Sequence, residues 1–222
     1  MSHETPDKIT LEMMRSSLYS AVVSDALDAL GYPRQSPRIP LAPLTTDTVL
    51  VGYCKTTLWE EIDTIDPSPY ELELQAVDEC ELDDVLIAAA GGSMRSGIWG
   101  ELLSTAAGNR GCAGAIVDGA VRDVDKMASM GFPVFARGTS VYDSQDRQRV
   151  SAIDLPVEID GVSFSPGDLV IADRDGVVVV PREIHEQAVR AAWEKVHAEN
   201  VTRDAIRDGM KATDAYRKYG VL

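Results

Sequence analysis

Three short apolar runs, each bordered by glycine and separated by helical segments, set the strongest limit on what this chain can become. Val85–Ala90 runs into Gly91-Gly92, Ala113–Val117 ends at Asp118-Gly119, and Phe132–Ala136 follows Gly131. Between them, Trp99–Ala107 and Arg122–Met130 read as short helices. Continuous apolar runs of this length suit strands covered on both faces. Strands alternating with helices predict parallel pairing through crossover connections.

The flanks have a different character. From Asp7 to Gly31 the apolar residues Leu11, Met14, Leu18, Val22, Ala26 and Leu30 recur every three or four positions, which predicts one amphipathic helix. Gly31 and Pro33 stop it. Thr48–Leu58 reads as a strand. Beyond residue 156, Val157–Ile159, Val162–Phe164, Asp168–Ala172 and Val177–Val180 are short strands. Their turns, Asp160-Gly161, Pro166-Gly167 and Asp175-Gly176, are hairpin signals because the turn residues tolerate positive φ. Pro181 opens a long helix to about Asp208, stopped by Gly209. The expectation is an α/β chain with a parallel core and an added antiparallel portion.

No repeat or linker divides the 222 residues, so they read as one domain, with 182–222 a C-terminal helical extension. Lys and Arg number 21 against 36 Asp and Glu, a net charge of −15. A surface so acidic repels phosphate backbones and anionic lipid, which argues against nucleic-acid and membrane partners. No apolar run approaches the roughly 18 residues of a membrane span, and MSHETPDKIT has no leader-like apolar core. Cys54, Cys80 and Cys112 form no C-x-x-C pair and read as small buried hydrophobes in a reducing cytoplasm. His3, His185 and His197 form no ligand cluster, and the last two read as solvated.

Two segments could carry chemistry. Gly91-Gly92-Ser93-Met94-Arg95-Ser96-Gly97 precedes the helix at Trp99, an arrangement that exposes backbone N–H groups to an anion. It matches neither nucleotide-binding fingerprint, and a plain tight turn would look the same. Asp118-Gly119-Ala120-Val121-Arg122-Asp123 follows a buried strand at its carboxyl end, where open α/β sheets bind ligands. Arg122 offers a fork to a carboxylate and Asp123 a hard oxygen to a divalent cation. A surface Arg–Asp pair at a helix start is the alternative. Lys55, in an apolar strand, would either form a Schiff base or point outward; the alternating pattern favours the latter.

Trp99-Gly100-Glu101-Leu102, Gly111 to Asp123 and Gly131-Phe132-Pro133-Val134-Phe135-Ala136 together resemble the RraA-like family, as do Val23–Leu27 and Asp173–Pro181. That family joins class II 4-hydroxy-4-methyl-2-oxoglutarate/4-carboxy-4-hydroxy-2-oxoadipate aldolases to regulators of ribonuclease E. The resemblance implies a swivelling β/β/α-type fold, trimers or hexamers with sites between subunits, and Mg²⁺ or Mn²⁺. It implies that Asp123 is the metal ligand and that Arg122 holds the keto-acid end beside Gly100. Glu101 would bond metal-bound water, and the Leu102 and Leu103 N–H groups would bind the carboxylate; the glycine-rich loop read above would add the amides of Gly91 and Gly92 to the same anion. Glu199, or else Glu194, would come from a neighbouring subunit through the C-terminal extension. Where the aldolase pattern has an acid three positions after Asp123, this chain has Lys126.

The resulting expectation is a pyruvate-releasing, metal-dependent lyase that also decarboxylates oxaloacetate. A non-enzymatic regulator of ribonuclease E-type activity is the alternative.

Overall fold

The apolar runs of the middle segment build a parallel sheet, as their pattern requires. The computed structural model describes residues 6–221. His3 and the first half of the N-terminal segment read above lie outside the described residues. In chain order the elements are α1 (Leu11–Ser17), α2 (Ser20–Ala29), β1 (Ala42–Pro43), β2 (Leu50–Glu61), α3 (Glu71–Asp78) and β3 (Asp84–Gly97). Next come α4 (Glu101–Asn109), β4 (Gly114–Val121), α5 (Val124–Met130), β5 (Val134–Thr139), β6 (Gln148–Ile153), β7 (Val157–Ile159) and β8 (Val162–Phe164). The chain ends with β9 (Leu169–Ala172), β10 (Val177–Val180), α6 (His185–Arg207) and α7 (Ala212–Tyr219).

The main sheet runs β1-β5-β4-β3-β2-β9-β10, with β6 also paired to β2. β2, β3, β4 and β5 are mutually parallel, and β1, β6, β9 and β10 add on antiparallel. The twelve-residue β2 is the organising strand: one edge pairs with β3, and the other is shared by β9 at its start and β6 at its end. β4 is buried at all eight positions, as expected of a strand covered on both faces.

Three apolar groups hold these layers. Trp99, Met127 and Phe132 pack with Leu86, Val117 and Val134 under α4 and α5. Leu27, Val23, Trp193 and Val189 join α2 and α6 to Leu169, Ile171 and Val180. Phe164 and Ile159, from the separate β7–β8 hairpin, cover Ile87, Ile116 and Phe135. Each fully buried side chain of this size contributes about 1.5–3 kcal/mol. The result is a mixed α/β single domain.

Four features differ from the sequence reading. The N-terminal helix is two, because Leu18 and Tyr19 are extended. The break lets the Ser20 N–H and hydroxyl donate to the Asp173 carboxylate, at 2.7 and 2.6 Å, so a distant acid caps α2. Gly91 and Gly92 do not end a strand: β3 continues to Gly97, absorbing them at φ +59° and +78° through register shifts. β1, α3 and β6 went unread, and α7 lies in the expected helical extension as a separate helix. Finally, α6 begins after a 3-10 turn at Arg182–Ile184, and its first half packs on α2 of its own chain.

Candidate active site

The site forms where β4 ends and α5 begins. Gly97 and Gly100 make this crossing possible. A Cβ at Gly97 would stand 2.6 Å from the Ser140 carbonyl oxygen and 2.9 Å from the Arg122 Cβ. One at Gly100 would stand 2.7 Å from Asp123 Oδ2. Gly100 is extended, so its requirement is close approach, not φ. Between them Trp99 is buried, donates its indole N–H to Ser104 Oγ at 2.8 Å and stacks on Phe132, which pins the turn into α4.

Asp123 adopts the left-handed conformation, φ 58° and ψ 30°, which Asp tolerates better than most residues and which recurs at functional positions. Its Oδ2 accepts the Glu101 backbone N–H at 3.3 Å and lies 3.8 Å from Arg122 Nε. Arg122 turns its Nη2 instead to Asp143 Oδ2, 2.7 Å away. Asp143 also accepts the Tyr70 hydroxyl at 2.6 Å and the Gln145 N–H at 2.8 Å. Burial works to raise the Asp143 pKa, but these donors and the guanidinium together hold it below the usual carboxylate range. Asp143 is thus a fixed anion that orients Arg122.

These groups line a cavity of about 300 Å³ together with Trp99, Leu102, Leu103 and Glu73. Gly100 supplies no capping side chain to α4, so the Leu102 and Leu103 N–H groups have no intrahelical acceptor. They border the cavity at the positive end of the helix dipole. The arrangement offers a carboxylate ligand a guanidinium and a helix N-terminus on one wall.

The sequence-predicted residues divide in three. Gly100, Leu102, Leu103, Arg122 and Asp123 come together; Glu101 is not part of the lining, and its carboxylate stands 3.9 Å from Lys126 Nζ. Lys126 therefore partners Glu101. Gly91 and Gly92 lie elsewhere: a Cβ on Gly92 would meet the Arg137 guanidinium carbon at 2.8 Å, and Arg137 bonds the buried Asp118. Glu199 lies on α6, where it accepts the Tyr19 hydroxyl and stands 3.8 Å from Arg203. Within one chain it is not part of the cavity lining.

Two other expectations need correction. Lys55 does not point to solvent; it is buried and bonds Asp154 at 2.7 Å and Glu79 at 3.5 Å. Burial lowers its pKa, but the two carboxylates outweigh that and hold it above the ordinary value, so its amine is no nucleophile. The α6 histidines are not simply solvated. His185 is half-buried edge-on to Tyr53, its pKa lowered by burial, and His197 lies against Trp193. The three cysteines are buried free thiols, as expected.

Tyr70, Glu73 and Asp143 were missed. Asp143 sits in an irregular loop with no local signal. Tyr70 and Glu73 follow Pro67-Ser68-Pro69, a helix-start signature that could have placed α3.

No group of three His, Cys, Asp or Glu that could hold a metal occurs among the described residues. Asp123 presents one carboxylate, 38% exposed, at the cavity. A single hard oxygen donor fits Mg²⁺ or Mn²⁺, which complete their shells with water and substrate, and does not fit a closed zinc site.

Known proteins resemble this chain over most of its length. The family model described as RraA-like, Aldolase/RraA, matches residues 20–179. A Halalkalibacterium halodurans protein named "Putative 4-hydroxy-4-methyl-2-oxoglutarate aldolase" is 31% identical over 194 residues, covering 87% of each chain. Among solved structures, an uncharacterized Pseudomonas syringae protein superimposes with a TM-score of 0.80 at 28% identity, covering 96% of this chain and 99% of its own. Streptomyces coelicolor RraAS2, described as an unusual member of the RNase ES inhibitor RraA family, gives 0.77 at 30% identity, covering 90% and 98%. This chain belongs to the RraA-like family.

Proposed function

We propose that this protein is a divalent-metal-dependent lyase that cleaves 4-hydroxy-2-oxo di- or tricarboxylic acids to release pyruvate, and that it decarboxylates oxaloacetate at the same site. The observation that carries this reading is the Asp123 carboxylate, held open to a cavity beside a guanidinium and the N-terminus of α4. Names of related proteins support the aldolase class.

Both reactions generate the same charge. Breaking the carbon–carbon bond leaves an enolate of pyruvate. Asp123 would hold a Mg²⁺ or Mn²⁺ ion, which would supply Lewis-acid stabilisation of that charge. Arg122, kept in place by Asp143, holds the keto-acid end of the substrate. The free N–H groups of Leu102 and Leu103 bind its carboxylate. Glu101 positions a water that takes the 4-hydroxyl proton, with Lys126 standing 3.9 Å from its carboxylate. Assembly into a trimer or hexamer, with Glu199 of a second copy completing the base, belongs to the same proposal. Three reduced, buried thiols suit a cytoplasmic site of action.

The test is turnover of oxaloacetate with Mg²⁺ or Mn²⁺ and with EDTA. Chelation should abolish it, and full activity in EDTA would overturn the reading. The likeness to RraAS2 favours a second reading, a ribonuclease inhibitor without turnover. Its signature would be co-purification with a ribonuclease and no metal-dependent reaction.

A further inference from the structure

One carboxyl in the cavity has no role in the scheme above. Glu73, on the first turn of α3, is 8% exposed and lines the same cavity as Arg122 and Asp123. Among the described residues it makes no hydrogen bond or ion pair. Trp99, Leu74 and Leu103 give the same cavity an apolar part, beside Tyr70 and Ser144. A carboxyl enclosed this way keeps its proton, because burial penalises the charged form and no donor compensates. The surrounding charges do not reverse this. Asp143 repels the carboxylate form, and the attraction of Arg122 is weaker, since Asp143 already engages that guanidinium. Burial first, and Asp143 second, push Glu73 up to about 8. On its far side, between α3 and β6, stand Asp66, Glu71 and Arg149, the last bound to Glu60. From α4, Glu101 faces Lys126. An acid near neutrality opposite a fixed anion is the arrangement by which two carboxyls in one site take different parts.

We propose that Glu73 is a further catalytic residue, the acid that protonates the carbon of the pyruvate enolate released by bond cleavage. The inference rests on the aldolase reading above. The proton leaves the Glu73 carboxyl oxygen, and the electron pair of the enolate double bond forms the new C–H bond. The C–O bond of the enolate becomes the ketone, and the Glu73 carboxylate regains a proton from water. The same step in reverse removes a methyl proton from pyruvate.

That reversal provides the experiment. Pyruvate is incubated with the protein and Mn²⁺ or Mg²⁺ in D₂O, and loss of the methyl proton signal is followed by NMR. Glu73→Gln should slow exchange by about 100-fold or more, the usual contribution of a positioned acid–base group. Its affinity for oxalate, an enolate mimic, should stay within about threefold, since binding belongs to Arg122 and the α4 amides. Glu73→Asp should recover part of the rate. In the parent protein, cleavage should fall toward alkaline pH as Glu73 gives up the proton it must donate, a limb absent from the residual rate of Glu73→Gln. Exchange by Glu73→Gln within about threefold of the parent would overturn the assignment, as that is far below an acid–base contribution. If the parent cleaves substrate but exchanges no pyruvate proton, the assignment to Glu73 falls alone. A parent that neither exchanges nor cleaves with either metal overturns the aldolase reading itself, and Glu73 with it.

Discussion

Two arginine–aspartate arrangements grow from opposite sides of the Asp118–Asp123 segment, and burial separates their roles. Asp118 lies inside β4 with its side chain 2% exposed, bonded to Arg137 from β5, with Gly92 packed on the guanidinium. Asp123 lies five residues on, 38% exposed, and its neighbour Arg122 reaches past it to Asp143. One pair is closed and ties strands together; the other is open and leaves a carboxylate and a guanidinium facing a cavity. The two aspartates of one hexapeptide thus meet their arginines in opposite settings, one enclosed and one exposed.

The largest expected effect is on the open side. Asp123→Ala should reduce oxaloacetate turnover by about a thousandfold or more, roughly 4 kcal/mol, because the proposed metal loses its protein ligand. Its thermal midpoint should stay within a few degrees, since Asp123 anchors no buried partner. Turnover near the parent's would break the comparison.

The arginines should then trade roles. Arg137→Ala strands the buried Asp118 carboxylate and should cost about 3–5 kcal/mol of stability, read by denaturant unfolding. Arg122→Ala leaves Asp143 one-third exposed and still held by Tyr70, so its stability cost should stay within about 1 kcal/mol. Its effect should appear in kcat/KM, at about 3–4 kcal/mol, like loss of an oxyanion donor. Equal stability losses in the two variants would erase the distinction.

Gly100→Ala sits between these extremes. Its Cβ would press on Asp123 Oδ2 and the Arg122 Cγ, at 2.7 and 3.2 Å, with no φ penalty. Overpacking of this kind costs about 1–3 kcal/mol. Activity should suffer more than stability, because the atoms displaced are those of the site. Parallel measurement of unfolding and turnover checks it.

How far the sequence reveals this division depends on the range of the forces involved. The parallel core was legible because apolar runs and glycine stops are local, and β4 and β5 stand close to where they were expected. The Gly100–Arg122–Asp123 group was legible because its members share a short segment and a family resemblance. Asp143 and the Asp173 cap on α2 were not, since each acts across a distance in sequence that no periodicity records. Gly91-Gly92 misled for the opposite reason. Two glycines signal a turn, yet here they let an extended strand bulge past Arg137. Lys55 misled because strand alternation says nothing of Asp154, which waits 99 residues away.

Glu73 sharpens the comparison, because it is neither closed by a partner nor open to solvent. Its folded-state pKa of about 8 lies above the ordinary glutamate value of 4.5. Between those values the native protein binds more protons than the unfolded chain, so this group makes stability fall as pH rises. The contribution is complete below pH 4.5 and is lost as pH climbs through about 8. Other carboxylates change little between pH 6 and 9, so the difference between the parent and Glu73→Gln over that window isolates the effect. The variant should be the more stable at pH 9, where the parent must bury a charge. The advantage should shrink toward pH 6, where both carry a neutral side chain. This is the smallest of the expected effects, and it is read from unfolding midpoints at each pH. A pH-independent difference would mean that Glu73 is ionised and partnered in solution, which would place it with Asp118 as a closed acid.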